Sequence, residues 1–100
     1  MYRQGDVLIF KAEAKPEGLK PVKAKNGRLI LAEGEATGHH HSVGADVAEL
    51  FQDGSKLFME VKDTTTVTHQ EHGAIEIAPG MYWVVRQREY DAGEVRKVRD

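Results

Sequence analysis

Turn-forming residues divide this chain into short segments, and this is the feature that most limits how it can fold. Ten glycines and three prolines are spread over 100 residues, and turn signals recur roughly every eight to twelve positions. Between the turns, apolar residues alternate or form short runs, and no segment has a convincing helical period. The pattern predicts one β domain over residues 1–100, all-β with little or no helix, built as a small barrel or sandwich of about eight to ten strands.

Several segments carry clear strand signals. Residues 6–11 are apolar on both faces, which indicates a central strand, and the β-branched run 64–69 is typical of a strand. Residues 75–77 alternate with period two. A long strand is expected over residues 81–90, and a last one near residues 94–98.

Two tight turns predict hairpins. Asn26-Gly27 and Asp53-Gly54 are residue pairs that favour two-residue turns between antiparallel strands. Pairing outward from each turn brings apolar side chains onto one face, and a slip by one residue would destroy that agreement. The expected facing pairs include Val22 with Leu31 and Leu50 with Leu57.

The charge is unevenly distributed along the chain. Residues 1–28 carry seven Lys and Arg against three Asp and Glu, whereas residues 29–85 carry two against nine. The acidic middle part suits a cation and disfavours a nucleic-acid surface there. Because the chain has no cysteine, any metal must be held by nitrogen and oxygen atoms.

The sequence predicts a cytoplasmic protein that does not insert into a membrane. The absence of cysteine fits a reducing compartment. The longest apolar run, residues 81–85, is far shorter than the ~20 residues that span a bilayer. Residues 1–6 contain no apolar stretch of the kind found in signal peptides.

Three of the five histidines stand together within residues 34–42. On an extended segment, residues i and i+2 point to the same side. His39 and His41 are therefore predicted to project into one space, while His40 points away. A neutral imidazole binds zinc at ~2.0–2.1 Å, so this pair is half of a candidate metal site.

The other two histidines, His69 and His72, form a second cluster that can supply further nitrogen ligands. Their spacing does not fit one strand face, so a turn must begin at Gln70 or Glu71 for both rings to converge. Glu71 and Glu49 are the candidate carboxylates, as ligands or as the general base of an enzyme. Nitrogen and carboxylate ligands without sulfur suit a divalent transition metal, and the sequence does not distinguish among Zn, Ni, Mn and Fe.

Two other hypotheses fit the same residues, and whether the protein is an enzyme stays open. Instead of binding a small molecule, the histidines can line an oligomer or partner interface in a non-enzymatic assembly module, which would respond to pH. A homo-oligomer is expected. The third hypothesis is nucleic-acid binding by a strand face that carries Arg86 and Arg88. We rank it last because the net charge is −2 and the middle of the chain is acidic.

The first histidine cluster resembles the first motif of the cupins. Gly34, His39, His41 and Glu49 follow the cupin order, and in that family of small β-barrels two histidines, a glutamate and a later histidine hold a metal. Glu49 lies farther from His41 than cupins usually place their glutamate, and no histidine follows the turn at Pro79-Gly80. The resemblance implies a cupin-like or jelly-roll-like barrel in which the fourth ligand has moved or is absent.

A second resemblance covers nearly the whole chain. Its motifs are Arg-Gln-Gly-Asp-Val near the start, Thr-Gly-His-His-His, Thr-His-x-Glu-His-Gly, Pro-Gly-x-Tyr and Arg-Gln-Arg-Glu-Tyr. They resemble a family of small uncharacterised proteins of bacteria and their phages, which has no assigned activity. The resemblance implies that both histidine clusters are signature positions of the family, and it supplies no reaction.

Overall fold

A computed structural model describes residues 1–34 and 38–89. These residues form ten strands and one turn of 3-10 helix, so the all-β prediction is confirmed. The strands are β1 (Tyr2–Gln4), β2 (Val7–Lys11), β3 (Lys20–Val22), β4 (Arg28–Glu33), β5 (His40–Gly44), β6 (Ala48–Asp53), β7 (Lys56–Val61), β8 (Thr65–Val67), β9 (Ile75–Ile77) and β10 (Gly80–Arg86), and the 3-10 turn is Gln87–Glu89.

The strands form the two layers of a sandwich. One layer is a six-stranded antiparallel sheet in the order β1-β2-β10-β7-β6-β3. The other consists of the pairs β4-β5 and β8-β9, which are joined by a bridge between Ser42 and Thr68. The described residues do not close into a barrel, so the sandwich alternative holds and the barrel alternative does not.

Side-chain alternation along the strands produces two apolar layers. The main core lies between the two sheets and takes residues from both, such as Ile9 and Met59 from one and Val43 and Val67 from the other. A smaller cluster lies on the outer face of the six-stranded sheet, where Trp83 is paired across strands with its neighbours Phe10 and Phe58. Residues 7–10 contribute side chains to both apolar clusters. β2 is paired on both sides, as expected for a central strand.

The hairpin near Asp53-Gly54 forms, but its turn is centred one residue later than predicted, on Gly54 and Ser55. Asp53 pairs with Lys56, and Leu50 pairs with Met59 rather than with Leu57. Gly54 has φ +59° and is the first central residue, which is typical of a type II′ turn. The pairing is displaced by an even number of residues, so every apolar side chain keeps its predicted face.

The turn at Asn26-Gly27 also forms, with φ of 51° and 76°, and the residues that flank it are bridged. The predicted pairing of Val22 with Leu31 was wrong. Val22 lies opposite Leu50 in the six-stranded sheet, whereas β4 pairs with β5. The residue types of the turn determine only the pairing of the residues that flank it. The strand partner of Val22, farther from the turn, is determined by tertiary packing.

The C-terminal part of the described chain also departs from the prediction. β10 ends at Arg86, and the 3-10 turn Gln87–Glu89 follows it. Arg86 and Arg88 therefore do not share one strand face, which removes the arrangement assumed for nucleic-acid binding. Tyr90 and the predicted strand 94–98 lie outside the described residues. Among the described residues, no helix is long and apolar enough to cross a membrane.

Candidate histidine site

Four histidines from two distant segments meet at one cavity of about 310 Å³. The ring of His41 lies 4.3 Å from that of His69 and 5.8 Å from that of His72, measured between centroids. The rings of His69 and His72 are 4.7 Å apart, and those of His39 and His69 are 5.8 Å apart. The other lining residues are Gly5, Asp6, Glu33, Gly34, Glu71 and Arg86. We call this cavity the histidine pocket.

The bridge between β5 and the end of β8 brings the two histidine segments together. Ser42 and Thr68 exchange backbone hydrogen bonds of 3.0 and 2.9 Å, so their chain neighbours His41 and His69 lie next to each other. Arg28 fastens this junction, because its guanidinium donates to the Ser42 backbone oxygen at 3.0 Å and to Thr68 Oγ1 at 2.9 Å.

His40 does not line the pocket. It is the first residue of β5, and the strand alternation places its side chain on the side opposite to that of His41, as the sequence predicts. Its backbone N–H donates to Gln70 Oε1 at 2.8 Å. The chain bends over residues 70–72, which is the turn that the spacing of the second histidine pair requires.

Two glycines leave room for the imidazole rings. Gly5, in the turn between β1 and β2, has φ +57°, and a Cβ atom there would lie 2.6 Å from His72 Nε2. A Cβ atom on Gly34 would lie 3.0 Å from the Cβ of His39 and 3.1 Å from His69 Nε2. Any larger residue at either position would have to displace a histidine.

The tautomer of His41 follows from its hydrogen bond to Gln4. The Gln4 side chain is buried, and its Nε2 donates to the backbone oxygens of Val67 and Gly73, both at 2.9 Å. Gln4 Oε1 is therefore an acceptor, and His41 Nδ1, 2.8 Å away, must carry the hydrogen that it accepts. In neutral His41 this leaves a lone pair on Nε2.

His41 stays neutral at physiological pH. Its side chain is almost fully buried, and this desolvation, helped by repulsion from His69, lowers its pKa from 6.5 to about 4. Asp6 partly opposes the shift. His41 Nε2 nevertheless lies 3.7 Å from Asp6 Oδ1. Both atoms are then acceptors, so a cation or a shared hydrogen-bond donor can lie between them.

The two histidines of the second cluster play different parts. His69 Nδ1 accepts the backbone N–H of Glu71 at 3.0 Å, so in neutral His69 the hydrogen is on Nε2. The pKa of His69 is lowered, and the largest cause is desolvation. This ring organises the bend and has no lone pair free for a ligand. The ring of His72 packs against the turn between β1 and β2, where its Nε2 lies close to Gly5.

His39 carries an unsatisfied nitrogen. Its Nδ1 is buried and has no hydrogen-bond partner among the described residues. Glu71 Oε1 lies 3.6 Å away, which is too far for a good hydrogen bond. A buried nitrogen without a partner costs free energy, which a bound ion or a proton shared with Glu71 would recover.

The two candidate carboxylates are in different places. Glu71 lines the histidine pocket. Glu49 does not, because its side chain points to the surface and accepts a 2.7 Å hydrogen bond from Lys62 Nζ. That bond lowers the pKa of Glu49, so Glu49 is a paired carboxylate at neutral pH. The structure thus gives no support to Glu49 as a ligand or base of this site.

Sequence analysis missed the contribution of residues 4–6 and of Arg86. The motif Arg-Gln-Gly-Asp was noted only as part of a family resemblance, yet Gln4, Gly5 and Asp6 all contact or line the site. A polar Gln-Gly-Asp turn ahead of an apolar strand was the available signal.

The side chains are near one another but are not arranged around an ion. Within residues 1–34 and 38–89, no group of three or more His, Asp or Glu side chains has its donor atoms placed to hold a metal. The site can therefore be described as four clustered imidazoles with carboxylates beside them. Metal binding would require some of these rings to turn.

Comparison with known proteins identifies a family. The model of a domain of unknown function, DUF8820, matches residues 3–87. No curated protein and no solved structure matches the chain. The resemblance to cupins thus receives no support from a matching structure, and the open sandwich does not support it either.

Proposed function

The chain belongs to the DUF8820 family, a domain of unknown function, and from the geometry of the histidine pocket we propose that it binds a divalent transition metal there. The proposed ligands are His39, His41 and His72, with Asp6 as the nearest carboxylate to His41. Glu71, which lies beside His39, would act as a further ligand or as a general base.

The observation that carries this proposal is the pair formed by His41 and Asp6. A neutral His41 presents a lone pair on Nε2 toward a carboxylate oxygen 3.7 Å away, and Gln4 holds the ring in that tautomer. Metal-binding histidines generally donate their other ring N–H to a carbonyl or carboxylate oxygen in the same way. His41 has the orientation of a ligand before any metal binds.

The charge of the pocket also favours a dication. Asp6, Glu33 and Glu71 oppose the single guanidinium of Arg86, so the formal charge is −2 while the histidines are neutral. A divalent cation would neutralise this charge. Nitrogen and carboxylate ligands without sulfur suit Zn, Ni, Mn or Fe(II).

The fixed and adjustable ligands can be distinguished. His41 lies in β5 and is held by Gln4, whereas His39 precedes that strand and His72 is exposed in the bend after β8. Rotation of these two rings would bring their nitrogens toward the space between His41 and Asp6. We expect metal binding to reorient His39 and His72 and to leave His41 in place.

Metal stoichiometry tests the proposal. The purified protein is stripped with a chelator, dialysed separately against Zn, Ni, Mn and Fe(II), and its bound metal is measured by elemental analysis. We expect about one ion per chain for at least one of these metals. The variant His39→Ala should lose it with the circular dichroism spectrum unchanged.

The matched control is His40→Ala, which removes the neighbouring imidazole that does not line the pocket. This variant should bind as much metal as the wild type. The proposal is wrong if none of the four metals binds, or if the loss of His40 reduces binding as much as the loss of His39.

A further inference from the structure

Asn26 is the only asparagine in the chain, and it lies in an exposed two-residue turn directly before Gly27. Lys25 and Arg28 exchange backbone hydrogen bonds of 2.8 and 2.9 Å across this turn. Asn26 and Gly27 have φ of 51° and 76°, as a type I′ turn requires. The fold therefore presents an asparagine followed by a glycine at the protein surface.

The two groups that could react with each other in this turn are unoccupied. Neither the side chain of Asn26 nor the N–H of Gly27 has a hydrogen-bond partner within residues 1–34 and 38–89. A Cβ atom on Gly27 would meet no atom within 4 Å, and glycine has no side chain of its own to shield its nitrogen. No hydrogen bond of either group has to break when the Gly27 nitrogen approaches Cγ of Asn26.

We infer that Asn26 is a site of spontaneous deamidation, and that one of the products loosens the junction between the two histidine segments. The Gly27 nitrogen gives its proton to hydroxide and attacks Cγ of the thermolabile Asn26 side chain. The new C–N bond closes a cyclic imide, and the side-chain nitrogen leaves as ammonia, taking a proton from water and so restoring the hydroxide. A water molecule then opens the imide, so the net change converts an amide and water into an acid and ammonia.

The two possible products differ in their main chain. Opening of the imide at the backbone carbonyl side routes the main chain through the former side chain and gives an isoaspartyl residue at position 26. Opening at the other carbonyl gives an ordinary aspartyl residue, which tolerates positive φ as asparagine does. The isoaspartyl product adds an atom to the main chain of the turn, so Lys25 and Arg28 can no longer face each other as they do now.

Arg28 connects this turn to the histidine pocket. Its guanidinium donates to the Ser42 backbone oxygen at 3.0 Å and to Thr68 Oγ1 at 2.9 Å. Ser42 and Thr68 form the backbone bridge that places His41 beside His69. Displacement of Arg28 should therefore weaken this bridge, whereas the six-stranded sheet, which Arg28 does not enter, should be unaffected.

Peptide mapping measures the reaction. The folded, metal-free protein is incubated in mildly alkaline buffer and then cleaved after Glu17 and Glu33, which releases residues 18–33. This peptide contains no glutamine, so a change in mass from amide to acid within it must come from Asn26. We expect aspartyl and isoaspartyl forms of the peptide, separated by chromatography, and an intact protein one unit more negative than the formal −2 of the chain.

The matched control is Asn26→Gly. A Gly-Gly pair also favours the type I′ turn, so this variant keeps the fold but has no side-chain amide to lose. Its peptide 18–33 should keep its mass throughout the incubation. Mass change in this variant equal to that of the wild type would place the reaction elsewhere and overturn the inference.

Hydrogen exchange at the backbone amides of Ser42 and Thr68 tests the effect on the junction. In the isoaspartyl form, isolated by chromatography, these amides should exchange roughly tenfold faster than in the unreacted protein, the factor expected when about one hydrogen bond of stabilisation is lost. Amides of the six-stranded sheet should exchange as before. Freshly prepared Asn26→Asp has the charge of the products with a normal main chain, and should exchange as the wild type does.

These outcomes do not involve a metal, so the inference and the proposed function can fail separately. Retention of the Asn26 amide by the folded protein, under conditions that deamidate the urea-unfolded chain, overturns the inference. An isoaspartyl form with unchanged exchange at Ser42 and Thr68 overturns the link to the junction. Equal acceleration in Asn26→Asp does so too, because charge and not the lengthened main chain would then be the cause.

Discussion

At the scale of single residues, the site depends on how His41 is buried. The ring is 1% exposed, and its one strong hydrogen bond goes to Gln4, which is itself tied to Val67 and Gly73. Burial without a partner for a second N–H favours the neutral ring. The same features that make His41 a proposed metal ligand should therefore make the fold sensitive to acid.

The metal-free protein should lose stability as the pH falls from 6.5 to about 4. Over this range an unfolded chain takes up a proton on His41, whereas the folded chain does not until its lowered pKa of about 4 is reached. Each pKa unit corresponds to ~1.4 kcal/mol, so the full loss from this residue is ~3 kcal/mol, complete near pH 4 and absent above pH 7. Urea unfolding at a series of pH values measures it.

The control for this prediction is His41→Asn. Asparagine keeps an N–H donor near Gln4 Oε1 but does not titrate. Between pH 4 and 6.5 this variant should take up about one proton fewer on unfolding than the wild type. Its free energy of unfolding should therefore depend less steeply on pH. An unchanged slope would show that other groups cause the acid sensitivity.

At the scale of elements, the short turn between β1 and β2 supplies residues to the site, as the two histidine segments do. Gly5 and Asp6 line the pocket, and Gln4 binds His41. β1 (Tyr2–Gln4) was not predicted, because the sequence Tyr-Arg-Gln shows no alternation of apolar and polar residues. Its pairing with β2 places Gln4 and Asp6 on either side of Gly5. A Cβ atom on Gly5 would lie 2.6 Å from His72 Nε2, so the backbone lies close to this ring there.

Replacing Gly5 by alanine should damage both the fold and the site. Alanine at φ +57° costs ~1–2 kcal/mol, and its Cβ would collide with Nε2 of the exposed His72 side chain, which must then turn away from Gly5. The displaced ring should also weaken metal binding. Thermal unfolding and elemental analysis measure the two effects.

Gly54→Ala is the matched control, since Gly54 has nearly the same φ, +59°, and a Cβ atom there meets no atom within 4 Å. It should show only the backbone cost and bind metal normally. Equal behaviour of the two variants would mean that His72 is not held by Gly5.

At the scale of the whole molecule, the proposed ligands come from positions 6, 39, 41 and 72, and so from both layers of the sandwich. Asp6 follows β1 and precedes β2 of the six-stranded sheet, whereas His41 lies in β5 of the other layer. An ion held by both connects the layers at one end. Metal binding should therefore stabilise the entire fold and not only the loops at the site.

Zinc should raise the melting temperature of the wild type. At free zinc about 100-fold above the dissociation constant, a ligand that binds only the folded state adds ~2.7 kcal/mol. For a domain of this size that corresponds to roughly 10–20 °C. The increase should be absent in His39→Ala and retained in His40→Ala, as measured by differential scanning calorimetry. A wild-type melting temperature that zinc does not change would contradict the prediction.

Much of the local structure could be predicted from the sequence. The alternation in residues 75–77, the turns at Asn26-Gly27 and Asp53-Gly54, and the opposite directions of His40 and His41 are set by φ preferences and by the two-residue period of a strand. These features act over a few residues, so neighbouring side chains are sufficient to specify them.

The partners of each strand could not be predicted in the same way. Val22 pairs with Leu50 and not across the nearer turn, because main-chain hydrogen bonds have no sequence preference and the choice depends on which apolar surfaces can be covered together. β10 ends at Arg86 and is followed by a 3-10 turn. The residue pattern of 81–90, which predicted one long strand, gave no signal for that turn.

The sequence by itself determined that this protein is made of short antiparallel strands, with one histidine cluster in a strand and another in a bend. Only the tertiary structure decided that the clusters meet, that Gln4 and Asp6 join them, and that Glu49 is turned away to Lys62. The physical reason is range. Backbone preferences act between neighbours in the chain, whereas the pocket is created by burying two sheets against each other, which brings together residues that the chain separates by more than thirty positions.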